Sequence, residues 1–225
     1  IAPYLLRRVK KDVQHQLPKK DEQILFCKLT EPQIQAYQRV LDKAQVHDFG
    51  HKKTLMFATI NNLRQICNHP DLLYKEDRPD DYGETEKSGK LKVVAQLLQM
   101  WKERNHRVLL YSHSTQMLDI MEQHLIKDAG YTYLRMDGTT SMKNRIPMIN
   151  RFNKDTSIYV FLLSTKVGGI GINLVGADRV LLYDPDWNPS VDHQALERAW
   201  RIGQKKEVTV YRLMTSGTIE EKMYH

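Results

Sequence analysis

The chain has 225 residues, 41% of them hydrophobic, which is enough core for one large domain or a domain with a sub-domain. No apolar run approaches the ~18 residues of a membrane span, and 34 basic against 27 acidic residues leave a net charge of +7 that favours an anionic partner. The two signs are mixed along the chain, so an ordinary basic soluble protein fits the same count.

Cys27 and Cys67 lack CxxC spacing, which points to a reducing intracellular setting. Cys67 lies near His69, but no second ligand pair follows, so no metal site is expected and both thiols are read as core. The chain opens at Ile1 without a signal peptide and closes in a helical pattern at His225, and both ends are read as cuts from a longer protein.

Residues 1–20 read as a basic amphipathic helix ending at Leu17-Pro18, its charges being a solvated face or a DNA contact, with the solvated face preferred. Ile24–Leu29 is a short strand candidate. Thr30-Glu31-Pro32-Gln33 supplies an N-cap, an early proline and a capping-box glutamine for a helix to about Val46. A second helix spans about 54–67, with Met56, Ile60, Leu63 and Cys67 on one face, stopped by Asn68-His69-Pro70. These elements form a leading helical sub-domain. Residues 75–88 lack apolar periodicity and are expected to be a mobile loop marking the boundary, so that 1–87 and 88–225 form two units. No internal repeat is apparent.

From Ser88 helices and strands alternate, the pattern of a parallel sheet covered by helices. Leu91, Val94, Leu98 and Trp101 make a helical stripe, followed by a strand at Val108–Tyr111 and a helix with Leu118, Met121 and Leu125 on one face. Tyr131–Met136, Ile158–Leu163, Val180–Tyr183 and Val208–Leu213 are four further strands, and Thr218 with Glu221 suggests a capping box for a last helix. The expectation is an α/β fold with a doubly wound sheet of five strands.

Two apparent nucleotide motifs fail. Ser88-Gly89-Lys90-Leu91 has no preceding strand, the wrong spacing to Gly83 and no hydroxyl after the lysine; Asp21-Glu22 follows Leu-Pro-Lys-Lys where a metal-binding pair needs a buried strand. The helix after Pro189 says more. Asn188 can cap it and Gly203 can end it, and Gln194, Arg198 and Arg201 fall on one narrow stripe beside an apolar stripe of Val191, Ala195, Ala199 and Ile202. The arginines either reach across a cleft to a γ-phosphate or pair at the surface with Glu197 or Asp192.

The loop Ser164–Asn173 contains three glycines, among them Gly169 and Gly171, with Thr165 and Lys166 at its start. It fits a phosphate-binding turn, Thr165 and Lys166 meeting phosphodiester oxygens, and equally a tight strand-to-helix connection. Ser112 and the Asp137-Gly138-Thr139 turn end neighbouring strands and can share that rim. Trp187 packs in the core or meets a nucleic-acid strand, the second being preferred. His113 and His193 read as polar surface residues.

Gln194-Ala-Leu-Glu-Arg198-Ala-Trp-Arg201-Ile-Gly-Gln204 resembles motif VI of the SWI/SNF-type ATPases of helicase superfamily two. Ser164–Leu174 resembles motif V, Val108–Ser114 motif IV, and Leu6-Leu-Arg-Arg, Leu63–Pro70 and Asp184–Pro189 are also typical of that family. Asp137–Thr140, Thr156–Leu163, Val208–Leu213 and Gly217–Glu221 are most similar to its Cockayne syndrome group B type. The resemblance spans nearly the whole chain and implies a second RecA-like lobe. In that family ATP lies between lobes, its Mg ion held by the first lobe. It implies that Arg198 and Arg201 approach the γ-phosphate, with Gln194, Gly169 and Gly171 in the nucleotide site. Ser112, Gly138, Thr139, Thr165, Lys166 and Trp187 are implied contacts to double-stranded DNA. Lys166 stands where arginine is frequent and His113 where glutamine is common, which leaves the strand contacts less defined.

The implied function is the C-terminal motor lobe of an ATP-dependent double-stranded DNA translocase in transcription-coupled repair, in the nucleus. Its partners are the first lobe and RNA polymerase II or nucleosomes, with no membrane, and the isolated lobe is expected to be inactive. A nucleosome-sliding remodeller and a non-catalytic DNA-binding module are the alternatives.

Overall fold

The structure is a computed structural model that describes residues 17–46, 53–74, 77–168 and 172–224. The basic segment before Leu17, including Leu6-Leu-Arg-Arg, lies outside the described residues, as do Gly169 and Gly171.

Six parallel strands form one sheet: β1 (Lys20–Cys27), β2 (Val108–Ser112), β3 (Tyr133–Met136), β4 (Val160–Ser164), β5 (Arg179–Leu182) and β6 (Val208–Thr215). Their order is β1-β6-β5-β2-β4-β3. Every residue of β2 and β4 is buried, as expected for strands covered on both faces by helices. Alternate strand residues feed two cores. Leu110, Leu162, Leu181 and Leu213 pack under α3 (Gly89–Glu103) and α4 (Thr115–Met121). Leu109, Phe161, Leu163 and Val180 pack under α5 (Met142–Lys154) and α7 (Pro189–Leu196). The sheet is the RecA-like α/β arrangement, with one strand more than the five expected.

That sixth strand is β1, expected within a separate helical sub-domain. All eight of its residues pair with β6, from Lys20 with Val208 to Cys27 with Thr215. The leading helices α1 (Glu31–Val46) and α2 (Lys53–Asn68) are bound to the sheet domain as well. Buried Gln33 supports that join: its Nε2 donates to the carbonyls of Ile66 and Cys67, and its Oε1 accepts from the N–H of Gly89 and of Thr30, the latter being half of the expected capping box. At Gly89 the chain passes so close to β1's exit that an added Cβ would lie 1.9 Å from the Lys28 carbonyl oxygen.

The loop expected to be mobile is tethered over its described part, residues 77–88. Asp71 accepts from Gly83 N–H at 2.8 Å and from Lys87 Nζ at 3.1 Å, and the Lys87 ammonium also pairs with Asp81 at 2.8 Å. Polar composition hid these ties because the shared carboxylate, Asp71, lies outside the loop.

Lys90 of the failed phosphate-loop look-alike is fully buried. Its Nζ donates to Glu220 at 2.6 Å, Asn68 at 3.0 Å and the Tyr183 carbonyl at 3.1 Å. An ammonium has three donors, and all three are committed inside the protein.

Candidate functional site

Chain order in the sheet reverses around β2: β3 and β4 lie on one side, β5 and β6 on the other. Open α/β sheets bind ligands beyond the carboxyl ends of strands at such a point. The register aligns those ends, pairing Ser112 with Ser164, Tyr111 with Leu182 and Met136 with Leu163. The candidate loops all leave from this edge.

The expected nucleic-acid contacts divide by exposure. Gly138, Thr139 and Lys166 are exposed, while Ser112 and Thr165 are fully buried. Ser112 Oγ accepts from the Ser114 N–H at 3.3 Å, and Thr165 Oγ1 lies 2.8 Å from His113 Nδ1. Both hydroxyls are therefore used inside the protein, leaving Lys166 and the Gly138-Thr139 turn as the groups this rim presents. Asp137 shapes that turn by accepting from the Thr139 N–H at 2.9 Å and hydroxyl at 2.6 Å, and from Arg135 at 2.9 Å. Burial opposes ionisation of the Asp137 carboxyl, but the Thr139 and Arg135 donors hold it below the usual carboxylate range.

The arginine stripe differs from its expected form. Asn188 caps α7, its Oδ1 accepting from Ser190 N–H at 3.0 Å, but the helix stops at Leu196 and turns follow. Two carbonyls just past that end are taken by donors other than the helical N–H groups. Arg198 O accepts from Leu174 N–H at 3.1 Å, and Ala199 O accepts from Gln204 Nε2 at 3.0 Å. Gly203 closes the turn at φ +102°, a left-handed conformation that suits glycine.

Gln194, Arg198 and Arg201 are consequently not on one stripe, and Ile202, expected on the docking face, is exposed. Gln194 lines a cleft of ≈ 620 Å³ together with Trp187, Pro189, His193 and Met214. Arg198 is buried, and desolvation, then the nearby Arg201 charge, lowers its pKa, with Tyr111 and Glu197 acting the other way. Arg201 is partly exposed, so of this electrostatically coupled pair it is the more open to a ligand. Trp187 is 54% exposed, with the Arg64 guanidinium 4.8 Å from its ring centroid, and so does not pack in the core.

Sequence reasoning missed His113 and Gln204. His113 is mostly buried: its N–H donates to Asp184 Oδ1 at 3.0 Å, Nδ1 lies 3.1 Å from Asp186 Oδ2, and Nε2 lies 3.3 Å from Asp192 Oδ1. Burial lowers the imidazole pKa, but hydrogen bonding to Asp192 and the charges of Asp184 and Asp186 outweigh it, so the net shift is upward. The sequence signal for such a hub was the clustering of Asp184, Asp186 and Asp192 after a strand, opposite a histidine that itself ends a strand. His193, by contrast, is an exposed residue as expected. Gln204 Nε2 also donates to Val175 O at 3.1 Å and Ala177 O at 2.8 Å, tying the arginine turn to the segment beyond the glycine loop.

A six-stranded parallel sheet flanked by helices, with its candidate loops leaving the carboxyl edge, defines a RecA-like lobe. Residues 89–203 match the helicase conserved C-terminal domain, residues 1–72 match the SNF2-related domain, and the chain belongs to the helicase C-terminal family in its SNF2-related branch. It is 54% identical to the human DNA excision repair protein ERCC-6, over 100% of this chain and 16% of that protein. It is 44% identical to the ISWI chromatin-remodeling complex ATPase ISW2 of Saccharomyces cerevisiae, over 99% of this chain and 21% of that protein. The Sulfolobus solfataricus SWI2/SNF2 ATPase core in complex with dsDNA superposes with a TM-score of 0.79 at 28% identity, covering 100% of this chain and 47% of that one. The chain thus spans about a fifth of the length of these curated relatives.

Proposed function

We propose that the chain is the second motor lobe of an ATP-dependent double-stranded DNA translocase serving transcription-coupled DNA repair. The observation that carries this reading is the direct link between the segment following the glycine loop and the arginine turn, Leu174 N–H to Arg198 O at 3.1 Å. It ties Leu174, which follows Lys166 and the glycines in sequence, to the turn bearing Arg198 and Arg201. In this reading Lys166, Thr139 and Gly138 meet one DNA strand, with Ser112 and Thr165 supporting them from below and Trp187 flanking the duplex.

ATP is the substrate, held mainly by a first RecA-like lobe that also carries Mg. Arg201, with Arg198 behind it, meets the γ-phosphate, and Gln194 with the Gly169 and Gly171 loop completes the nucleotide side. The full commitment of Lys90 to Glu220, Asn68 and Tyr183 supports a phosphate loop located elsewhere. The higher identity to the excision repair protein, 54% against 44% for the ISWI protein, favours repair beside RNA polymerase II in the nucleus over nucleosome sliding.

In the full-length protein, Arg201→Ala is expected to lower DNA-stimulated ATP hydrolysis by ~10³-fold, the scale of a lost arginine finger. An unchanged rate overturns the motor reading. The 225-residue chain alone is expected to show negligible hydrolysis and weak DNA binding that falls steeply with salt.

A further inference from the structure

His113 touches three elements that lie 52 to 79 residues further along the chain. Through Nδ1 it meets Thr165, the first residue of α6 (Thr165–Gly168), at 2.8 Å, and Asp186 of the loop after β5 at 3.1 Å. Through Nε2 it meets Asp192, in the first turn of α7, at 3.3 Å. Asp192 Oδ2 in turn accepts from the Asp186 N–H at 2.9 Å, which closes the ring of contacts. We propose that His113 is a positioning residue that couples occupancy of the DNA-facing loop to the placement of the arginine turn, acting through Thr165 on one side and Asp192 on the other. This rests on the motor reading above.

The geometry gives the coupling a route in both directions. Lys166 is exposed, whereas its neighbour Thr165 is buried against the imidazole, so a phosphate drawing on Lys166 pulls on a residue bonded to His113. On the other side, α7 leads directly into Arg198 and Arg201, and its first turn is held by the same ring. α6 and α7 pack together, and the Leu174–Arg198 hydrogen bond ties the far end of the same assembly. His113 and Leu174 thus clamp the two functional elements at both ends. Electrostatics favours a cation at the first clamp, in line with the upward shift of the imidazole pKa. Asp186 and Asp192 approach opposite sides of the ring, and without a charge between them their carboxylates repel.

The test is steady-state ATP hydrolysis by the full-length protein, with and without saturating duplex DNA, read as the ratio of the two rates. His113→Ala is expected to lower this stimulation factor about tenfold, within the range of coupling between sites. His113→Gln, which keeps a hydrogen-bonding group but not the charge, is expected to recover part of it. Where the alanine variant does not fold, Asp192→Asn serves instead: it keeps an acceptor for the Asp186 N–H, removes the charge facing Nε2, and is expected to lower the factor about threefold.

An unchanged factor in these variants, or a fall of both rates in equal proportion, overturns the coupling role. Arg201→Ala in the same assay separates the two claims. If it abolishes hydrolysis while the His113 and Asp192 variants keep full stimulation, only the coupling role fails. If it leaves hydrolysis intact, the motor reading fails with it.

Discussion

Lys90 and Glu220 form a salt bridge whose two side chains are entirely out of water. Such a pair adds little net stability over an apolar replacement, but removing one partner strands a buried charge at a cost of ~3–5 kcal/mol. Lys90→Met is therefore expected to destabilise the chain by about 3 kcal/mol in urea unfolding, since among the described residues Glu220 keeps only the Thr215 N–H at 2.9 Å as a donor on its other oxygen. A loss below about 1 kcal/mol would overturn this account of the pair. The position also has a functional lesson. A Ser-Gly-Lys triplet can imitate a phosphate loop while its lysine bonds to partners 22 and 130 residues away. Local spacing was enough to reject the motif, but only the fold reveals what the lysine does.

At the scale of elements, the turn after α7 is held by donors that a continuous helix would not supply, Leu174 N–H on Arg198 O and Gln204 Nε2 on Ala199 O. Gln204 Oε1 also accepts from the Lys205 and Lys206 N–H groups at 2.9 Å each. Gln204→Ala removes an amide whose two N–H donors are shared among the Val175, Ala177 and Ala199 carbonyls, each lost bond to a buried carbonyl costing ~1–3 kcal/mol. Its expected signature is faster amide hydrogen exchange across residues 197–204, with kcat for ATP falling more than KM rises in the full-length protein. Unchanged exchange there would show that the Leu174 contact holds the turn alone. The sheet strands, in contrast, fall within a few residues of their expected bounds, because strands buried on both faces appear as continuous apolar runs in sequence. The end of α7 was not legible for the opposite reason: a 3.6-residue pattern continues through Arg198 and Arg201, while the bonds that hold the turn after it come from Leu174 and Gln204. His113 was hidden in the same way, its carboxylate partners lying 71 to 79 residues downstream.

For the whole molecule, charge and residue type pointed to the rim, and Lys166, Thr139 and Trp187 are indeed at the surface. Burial separated them from Ser112 and Thr165, which periodicity could not do, since both follow strands in the same manner. Strand β1 was legible as a strand but not as a member of this sheet. Its sequence, Lys-Asp-Glu-Gln-Ile-Leu-Phe-Cys, has an exposed polar half, and its partner begins 188 residues later.

That late partner makes the first part of the chain the seal on an otherwise open flank. A fragment beginning at Gly89, where the helicase C-terminal match starts, would leave Val-Thr-Val-Tyr-Arg-Leu-Met-Thr as an unpaired edge, β-prone and free of proline. Light scattering is expected to find residues 89–225 self-associating through that edge at concentrations where residues 17–225 remain monodisperse. Equal behaviour of the two would show that β6 needs no cover. Any truncation series meant to isolate the lobe thus has its natural starting point before Lys20, because the earliest residues of the sheet guard its last strand from other chains.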